Sequence, residues 1–283
     1  MSDIKIMMFG QTGQVATEVQ RQANVIALGR DVADLSDMDA LRAAIHRHQP
    51  DVVINAAAYT AVDRAEEEET FALAVNGVAP GVMAHECAVQ NIPFLHVSTD
   101  YVFDGSGTAP WAASDSIDPQ NAYGRTKYAG EVAVRAAGGN HAILRTSWVF
   151  SAYGVNFVKT MLRLGETGDA MNVVGDQIGG PTPAVDIAAT LLDMACQMMN
   201  GQQGGTYHYA GTPAASWADF ATEIFAQAGA NVTVTGIPTS EYPTPARRPL
   251  NSRMDCGSLM TDFKIAAPEW KKGLRHVLAE LQK

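Results

Sequence analysis

Short apolar runs alternate with longer amphipathic stretches through the first half of the chain. Runs of roughly four to eight apolar residues bounded by turn residues are typical of buried strands, and a period of about 3.6 residues is typical of helices. On this basis we predict strands at residues 4–9, 24–28, 51–58, 92–98 and 142–146, with helices between them. Strands that alternate with helices through short links form parallel sheets, so we predict an α/β fold with a doubly wound parallel sheet.

The pattern changes after about residue 154, where loops rich in glycine and proline separate further helical stretches. We predict helices at residues 156–164, 185–199, 216–228 and 270–281. Methionine fills irregular apolar gaps, so Met194, Met198 and Met199 are assigned to the core. We predict a dinucleotide-binding domain over residues 1–154 and a smaller C-terminal substrate-binding region over residues 155–283. Some segments of the second region are expected to return to the sheet.

The composition is that of an ordinary globular protein, with 283 residues, 47% of them hydrophobic and 18% charged. The net charge of -10 argues against nucleic acid as a partner, because nonspecific binding needs a basic surface. No apolar run has the length of a membrane span and no signal segment is recognised, so no membrane partner is expected. Three scattered cysteines indicate a reduced, cytoplasmic protein, and the seven histidines lack metal-ligand spacing.

The first predicted strand ends in a glycine turn that leads into a helical pattern. This turn consists of Gly10, Gln11, Thr12, Gly13, Gln14 and Val15. Glycines let the backbone turn and approach a pyrophosphate, and the N-terminus of a helix stabilises the charge of that group. Ala16 stands where the dinucleotide-binding pattern has a third glycine, which serves close packing of the helix on the strand. We predict that the turn binds a dinucleotide cofactor.

The second predicted strand ends about twenty residues further on, where the adenosine ribose of such a cofactor is bound. Gly29 removes a side chain that could block a 2′-phosphate, and Arg30 can pair with that phosphate. We therefore predict that NADPH is preferred and that NADH remains usable, because the two share the pyrophosphate. The alternative is that Arg30 is only a solvated loop charge.

Two polar residues have local structural interpretations. Ser36, with Asp39 three residues later, resembles a helix N-cap box and predicts the start of the second helix. Asn76 lies inside a predicted helix after the third strand, where an asparagine is usually exposed.

Tyr123 and Lys127 are four residues apart and share one face of a predicted helix. A free tyrosine has a pKa near ~10, and a neighbouring ammonium group lowers it toward the working range because it favours the phenolate. A tyrosine tuned in this way can exchange a proton with a substrate oxygen. The alternative is a surface helix in which this spacing arises by chance.

A polar cluster of Ser98, Thr99 and Asp100 lies at the carboxyl end of the fourth predicted strand. Ligands of open parallel sheets bind at that edge. A hydroxyl group there can donate a hydrogen bond to a substrate carbonyl; the alternative is that it only caps the end of the strand.

Four motifs follow one another along the chain: the glycine turn, residues 55–58 (NAAA), residues 98–100 (STD) and the Tyr123/Lys127 pair. Together they resemble the extended short-chain dehydrogenase/reductase family, whose fold is Rossmann-like. Further similar segments are RTSWV at 145–149, YPTPA at 242–246 and RPLNSR at 248–253. The resemblance therefore covers nearly the whole chain.

The resemblance implies roles for individual residues. Tyr123 is expected to be the proton donor, Lys127 to tune it and bind the ribose, and Thr99 to donate a hydrogen bond to the carbonyl. Cofactor contacts are expected from Gly10, Gln11, Thr12, Gly13, Gln14, Val15, Gly29, Arg30, Asp34, Leu35, Ala58, Tyr59, Thr60, Val97, Tyr123 and Lys127. Substrate contacts are expected from Thr99, Asp100 and Trp148.

The activity that the resemblance implies is reduction of the 4-keto group of dTDP-4-dehydro-L-rhamnose to dTDP-L-rhamnose, with hydride from a nicotinamide cofactor. Two alternatives stay open: a reductase or epimerase of another nucleotide sugar, and a nucleotide-binding regulatory subunit without catalysis. Some relatives carry a divalent metal between subunits; since no matching carboxylate set is recognised, no metal is expected to be required. A homodimer is an option that the sequence leaves open.

Overall fold

A six-stranded parallel sheet is the centre of the computed structural model, which describes residues 4–282. Numbered along the chain, the strands are β1 (Ile6–Phe9), β2 (Val25–Leu28), β3 (Val52–Asn55), β4 (Phe94–Thr99), β5 (His141–Thr146), β6 (Val149–Phe150), β7 (Ala170–Val174), β8 (Ile178–Gly179), β9 (Thr182–Pro183), β10 (Thr206–His208), β11 (Ala215–Ser216), β12 (Thr233–Ile237) and β13 (Asn251–Ser252). The large sheet has the order β10-β5-β4-β3-β1-β2, and its neighbouring strands run parallel.

Helices cover both faces of this sheet. They are α1 (Gln14–Gln22), α2 (Met38–His48), α3 (Glu69–Leu73), α4 (Ala79–Val89), α5 (Ala122–Ala137), α6 (Phe157–Gly165), α7 (Ala184–Met199), α8 (Trp217–Ala228), α9 (Gly257–Phe263) and α10 (Trp270–Leu281). Side chains alternate along β1: Met7 and Phe9 pack in one core with α2, α4 and α5, whereas Met8 packs in the opposite core with α1 and α7. The predicted doubly wound α/β fold is confirmed.

The strand order reverses direction between β1 and β3. The chain passes from β1 outward to β2 and then returns to β3 on the other side of β1. Phe9 and Asn55, the last residues of the two strands, are partners in the register. In open α/β sheets such a reversal leaves a crevice at the carboxyl ends of the strands, and ligands bind there.

The second half of the chain contributes a separate apolar cluster and also completes the large sheet. Aromatic side chains of the cluster include Phe150, Phe220, Phe225 and Trp270. β10 pairs with β5 and forms one edge of the large sheet. The remaining strands form smaller sheets: β7 pairs with β12, β6 pairs with β9, and β8 lies between β11 and β13.

A segment near the C-terminal end ties the two halves together. The Asn251 side chain donates to the carbonyls of Ser106 (3.1 Å) and Ala109 (2.8 Å), and the Trp111 indole donates to the Asn251 carbonyl (3.1 Å). These contacts hold the long loop after β4 against β13.

One cap prediction is wrong by a residue. The N-cap of α2 is Asp37, whose side chain accepts from the backbone N–H groups of Asp39 (3.1 Å) and Ala40 (3.0 Å). The hydroxyl of Ser36 instead donates to Asp34 at 2.8 Å. Two polar residues in succession can both cap, and the local pattern did not decide between them.

Candidate active site

Tyr123 reaches the carboxyl edge of the sheet because α5 begins there. Asn121 caps the helix by accepting from the Gly124 N–H at 2.8 Å, and its own amide donates to the Arg247 carbonyl at 2.8 Å. A Cβ on Gly124 would lie 2.2 Å from the Tyr101 carbonyl oxygen, so only glycine permits this approach. The helix start is thereby pressed against the residues that follow Thr99.

The phenol of Tyr123 lies beside Thr99 in a poorly solvated position. Burial raises the pKa of Tyr123 to about 12, hydrogen bonding with the Thr99 side chain opposes the shift, and the charge of Asp100 adds to it. The pKa thus moves away from neutrality, contrary to the prediction that Lys127 would lower it. Burial of the phenol outweighs the opposing hydrogen bond.

Lys127 is fully enclosed beneath the edge of the sheet, one helical turn after Tyr123. Its Nζ donates to the Val97 carbonyl at 2.7 Å and lies 3.3 Å from Nε2 of His96. Burial lowers the pKa of Lys127 to about 8, while the charge of Glu131 opposes that shift. The position on the shared helix face follows the prediction, whereas the contact with Val97 and His96 depends on tertiary packing.

Asp100 follows Thr99 and is also buried, with 3% of its surface exposed. Its Oδ1 accepts a hydrogen bond from the Thr99 hydroxyl at 3.1 Å. Burial raises the pKa of Asp100 to about 6, so the side chain is ionised at neutral pH. Thr99, Asp100 and Tyr123 therefore form one cluster at the end of β4.

The glycine turn lies at the crevice between β1 and β3. Gly10 has φ +114°, and a Cβ there would lie 3.3 Å from the backbone of both Ala56 and Ala57. Gly13 is the N-cap of α1, and its Cβ position is open. Ala16, the departure from the glycine pattern, is completely buried and fits the core shared with α7. The turn thus leaves free space in front of a helix N-terminus, as a phosphate group requires.

The loop after β2 presents an exposed arginine. The Arg30 side chain is 77% exposed, and its Nε lies 3.9 Å from Asp34. A Cβ on Gly29 would clash with the side chains of Gln11 and Asp31, so the glycine turn and this loop are in direct contact. Leu35 packs against the core on this side of the sheet.

The prediction that Asn76 is exposed is wrong. Only 1% of its surface is exposed, and its side chain accepts from the Tyr59 N–H (2.8 Å) and donates to the Tyr59 carbonyl (3.0 Å) and the Thr126 hydroxyl (3.2 Å). The residue lies in a π-helical turn, which is common at functional sites. A Cβ on Gly130 would lie 2.1 Å from the Asn76 carbonyl oxygen. Asn76 thereby fixes the segment that contains Ala58, Tyr59 and Thr60.

Trp148, beyond the end of β5, is held by a second tryptophan. Its backbone has φ +49°, unusual for a bulky side chain, and its ring stacks on Trp217 with centroids 3.6 Å apart. The Trp217 indole N–H donates to Gln177 at 3.1 Å. Sequence reasoning missed both supporting residues, because they come from distant segments.

A cavity of about 830 Å³ opens beside the loop after β4. Its walls come from residues 104–107 and 242–248, with Asp176, Thr239, Ser240 and Leu250. One wall is braced by Arg248, which pairs with Asp63 at 2.8 Å. The motif at 242–246 and, from the motif at 248–253, Arg248 and Leu250 therefore line this cavity.

Within residues 4–282, no group of three or more His, Cys, Asp or Glu side chains is arranged to hold a metal ion. Carboxylates of α1, α7 and α10 lie in one region: Arg21 lies 3.7 Å from Glu18 and 3.0 Å from Glu280. Burial raises the pKa of Asp186, the charge of His276 opposes that shift, and the charge of Glu18 adds to it. That no metal is required stays a prediction. Across the same described residues, no helix combines the length and apolarity needed to cross a membrane.

Comparison with known proteins agrees with these motifs. Residues 4–283 match the model of the family described as "RmlD substrate binding domain". A dTDP-4-dehydrorhamnose reductase from Sinorhizobium fredii is 42% identical over 97% of each chain. The crystal structure of a dTDP-4-dehydrorhamnose reductase from Clostridium acetobutylicum superposes with a TM-score of 0.93 and 38% identity, covering 99% of this chain and 100% of the other.

A second solved structure contains a cofactor. The dTDP-4-dehydrorhamnose reductase from Bacillus anthracis, determined in complex with NADP, has a TM-score of 0.92 and 32% identity, with 98% of this chain and 99% of the other covered. The predicted family is confirmed. The chain belongs to the RmlD substrate binding domain family, among the extended short-chain dehydrogenases/reductases.

Proposed function

We propose that this protein is an NADPH-dependent oxidoreductase that reduces the 4-keto group of dTDP-4-dehydro-L-rhamnose, giving dTDP-L-rhamnose. The observation that carries the proposal is the meeting of Thr99 and Tyr123 at the carboxyl edge, next to the crevice where the strand order reverses. The reductase from Sinorhizobium fredii, with 42% identity, supports the choice of substrate.

The chemistry of the site suits delivery of a proton to an oxygen. The nicotinamide supplies the hydride that converts the keto carbon to an alcohol. Tyr123, with its pKa raised to about 12, carries its proton at neutral pH and donates it to the oxygen on which negative charge develops. Thr99 would turn its hydroxyl hydrogen from Oδ1 of Asp100 toward the same oxygen, and the new hydrogen bond would stabilise the transition state. Lys127 lies one turn away on α5, where its Nζ donates to the Val97 carbonyl, and it would bind the ribose of the cofactor.

The residues around the crevice fit a dinucleotide. The turn from Gly10 to Val15 would hold the pyrophosphate, since the Gly13 position is open and α1 begins there. Asp34 and Leu35 would lie by the adenine. The segment of Ala58, Tyr59 and Thr60, fixed by Asn76, would lie along the cofactor with Val97.

The carboxyl end of β4 with Thr99, Asp100 and Tyr123 would be the catalytic edge, and the substrate would extend from it into the cavity of about 830 Å³. Asp100 and Trp148 would contact the sugar. Arg247 and Arg248 line the cavity, and guanidinium groups pair well with phosphate oxygens. The nucleotide end of the substrate would therefore occupy the cavity.

The test is an absorbance assay at the nicotinamide band with NADPH and a panel of nucleotide keto sugars. We expect NADPH oxidation with dTDP-4-dehydro-L-rhamnose and accumulation of dTDP-L-rhamnose. Faster oxidation with another sugar would favour the alternative substrate. If nucleotides bind but no sugar is reduced, the protein is a regulatory subunit and the proposed reaction is wrong.

We further propose that Arg30 gives the preference for NADPH over NADH. Arg30→Ala is expected to weaken NADPH binding about tenfold and to leave NADH binding unchanged, because only NADPH offers a phosphate to the guanidinium. Fluorescence titration with both cofactors measures this. Arg47→Ala, which removes an exposed arginine at the far end of α2, is the matched control. Equal losses for both cofactors, or none, would show that the preference arises elsewhere.

Two wider expectations go with this function. A nucleotide-sugar reductase with this composition is expected in the cytoplasm, and a homodimer is compatible with the family resemblance. Sedimentation of the purified protein would decide the second.

A further inference from the structure

Two polar atoms lie buried at the catalytic edge without a hydrogen-bond partner among the described residues. They are Oδ2 of Asp100 and Oγ of Ser252, in residues that are 3% and 1% exposed. The Ser252 side chain lies close enough to Asp100 to oppose the rise in its pKa. Neither Oδ2 of Asp100 nor Oγ of Ser252, however, makes a hydrogen bond of good geometry with a described residue. Thr146, the register partner of Thr99, carries a third such atom, Oγ1. Buried polar groups in native proteins are rarely left unpaired, so a ligand group is expected to complete them.

The path of the chain explains how Ser252 reaches this position. β13 runs beside β8, so that Ser252 is the register partner of Gly179. A Cβ on Gly179 would lie 3.0 Å from the Cβ of Ser252 and 2.8 Å from the ring of Trp148. The missing side chain at Gly179 thus lets Ser252 and Trp148 share one wall. The other side of Ser252 meets Asp100, which directly follows Thr99.

We propose that Ser252 contacts the substrate and determines its specificity, and that Ser252 and Asp100 together bind one hydroxyl group of the sugar, next to the reacting carbonyl. The inference rests on the proposed function and adds to it a residue from the last strand. An ionised carboxylate only accepts hydrogen bonds, whereas a serine hydroxyl can donate. A sugar hydroxyl can donate one hydrogen bond and accept another, so it can donate to Asp100 and accept from Ser252 at the same time.

This arrangement selects for sugars that carry the hydroxyl. A substrate with hydrogen at that position leaves two buried polar groups unpaired in the complex, and sites built around a hydroxyl reject such analogues. Because the group lies beside Thr99 and Tyr123, its binding also places the carbonyl next to the proton donor.

The experiment compares Ser252→Ala with the wild type on two substrates, the 4-keto nucleotide sugar and its 3-deoxy analogue. We expect Ser252→Ala to lower kcat/KM about tenfold for the hydroxylated sugar and to leave the value for the 3-deoxy sugar nearly unchanged. NADPH affinity should not change. The matched control is Ser151→Ala, which removes another buried serine whose hydroxyl donates to Glu18 at 2.9 Å, away from the catalytic edge. It should leave the ratio between the two substrates unchanged.

Equal losses on both sugars, or a change of ratio no larger than that of Ser151→Ala, would overturn the contact. Titration calorimetry with dTDP-L-rhamnose and its 3-deoxy analogue distinguishes a wrong Ser252 contact from a wrong proposed reaction, because these products bind without turnover. If the wild type reduces neither keto sugar but Ser252→Ala abolishes a binding preference for the hydroxylated product, the reaction is wrong and the contact is supported. If that preference survives in Ser252→Ala, the contact is wrong.

Discussion

Replacing Tyr123 with phenylalanine is expected to reduce kcat by about 10²–10⁴-fold, since the phenol is the group that we propose delivers the proton. The ring of Tyr123 packs edge-on against Tyr101 with centroids 5.6 Å apart, and phenylalanine keeps that contact. NADPH affinity and the unfolding midpoint should therefore be little changed. Single-turnover kinetics with NADPH and the keto sugar measure the chemical step directly.

Tyr207→Phe is the matched control for this variant. The Tyr207 hydroxyl donates to Asp262 at 3.0 Å, and it belongs to the edge strand β10 rather than to the catalytic cluster. We expect its kcat to equal that of the wild type. Turnover by Tyr123→Phe at a comparable rate would remove Tyr123 from the mechanism.

The largest expected effect on stability comes from Glu131, which lies one turn beyond Lys127 on α5. It accepts from Arg145 at 2.8 and 2.7 Å and from the Ser98 hydroxyl at 2.6 Å, and both charged side chains are almost completely buried. Glu131→Leu would leave the Arg145 charge buried and unpaired. We expect the free energy of unfolding, measured in urea, to fall by about 3–5 kcal/mol.

Two further variants identify the cause of that loss. The double variant Glu131→Leu/Arg145→Met removes both charges and is expected to recover part of the stability, because the unpaired charge carries much of the penalty. Lys272→Ala breaks an exposed pair with Glu269 and should cost less than about 1 kcal/mol. If Glu131→Leu costs no more than Lys272→Ala, the buried pair is not a major source of stability.

Strands β1 to β5 of the large sheet could be predicted because each is an apolar run that ends in small or polar residues. The sixth strand, β10, was not predicted, since its three residues, Thr206–His208, form no apolar run. The same reasoning failed for β8, β11 and β13, since strands of two residues have no period. Asn76 shows a different limit: its burial follows from a π-helical turn and from Gly130 on another helix. Neither feature is visible in the residues around it.

The motifs predicted that Thr99, Tyr123 and Lys127 belong to one site, but they did not predict how the pKa values of Tyr123 and Lys127 shift. The pKa of Tyr123 depends on how much protein covers the phenol, which local sequence does not encode. The positions of Ser252 beside Asp100 and of Trp217 against Trp148 could not be predicted for a related reason. Each lies far along the chain from the residue it supports, so its role exists only after folding.

Completion of the large sheet by β10 has a consequence during synthesis. The edge of β5 gains its partner only when residues 206–208 emerge, about 60 residues after β5 itself. At ordinary translation rates of about 5–20 residues per second, the nascent chain carries that open edge for roughly 3–12 s. Unpaired strand edges attract other strands, so this interval is when the growing polypeptide most needs protection by the ribosome surface or a chaperone.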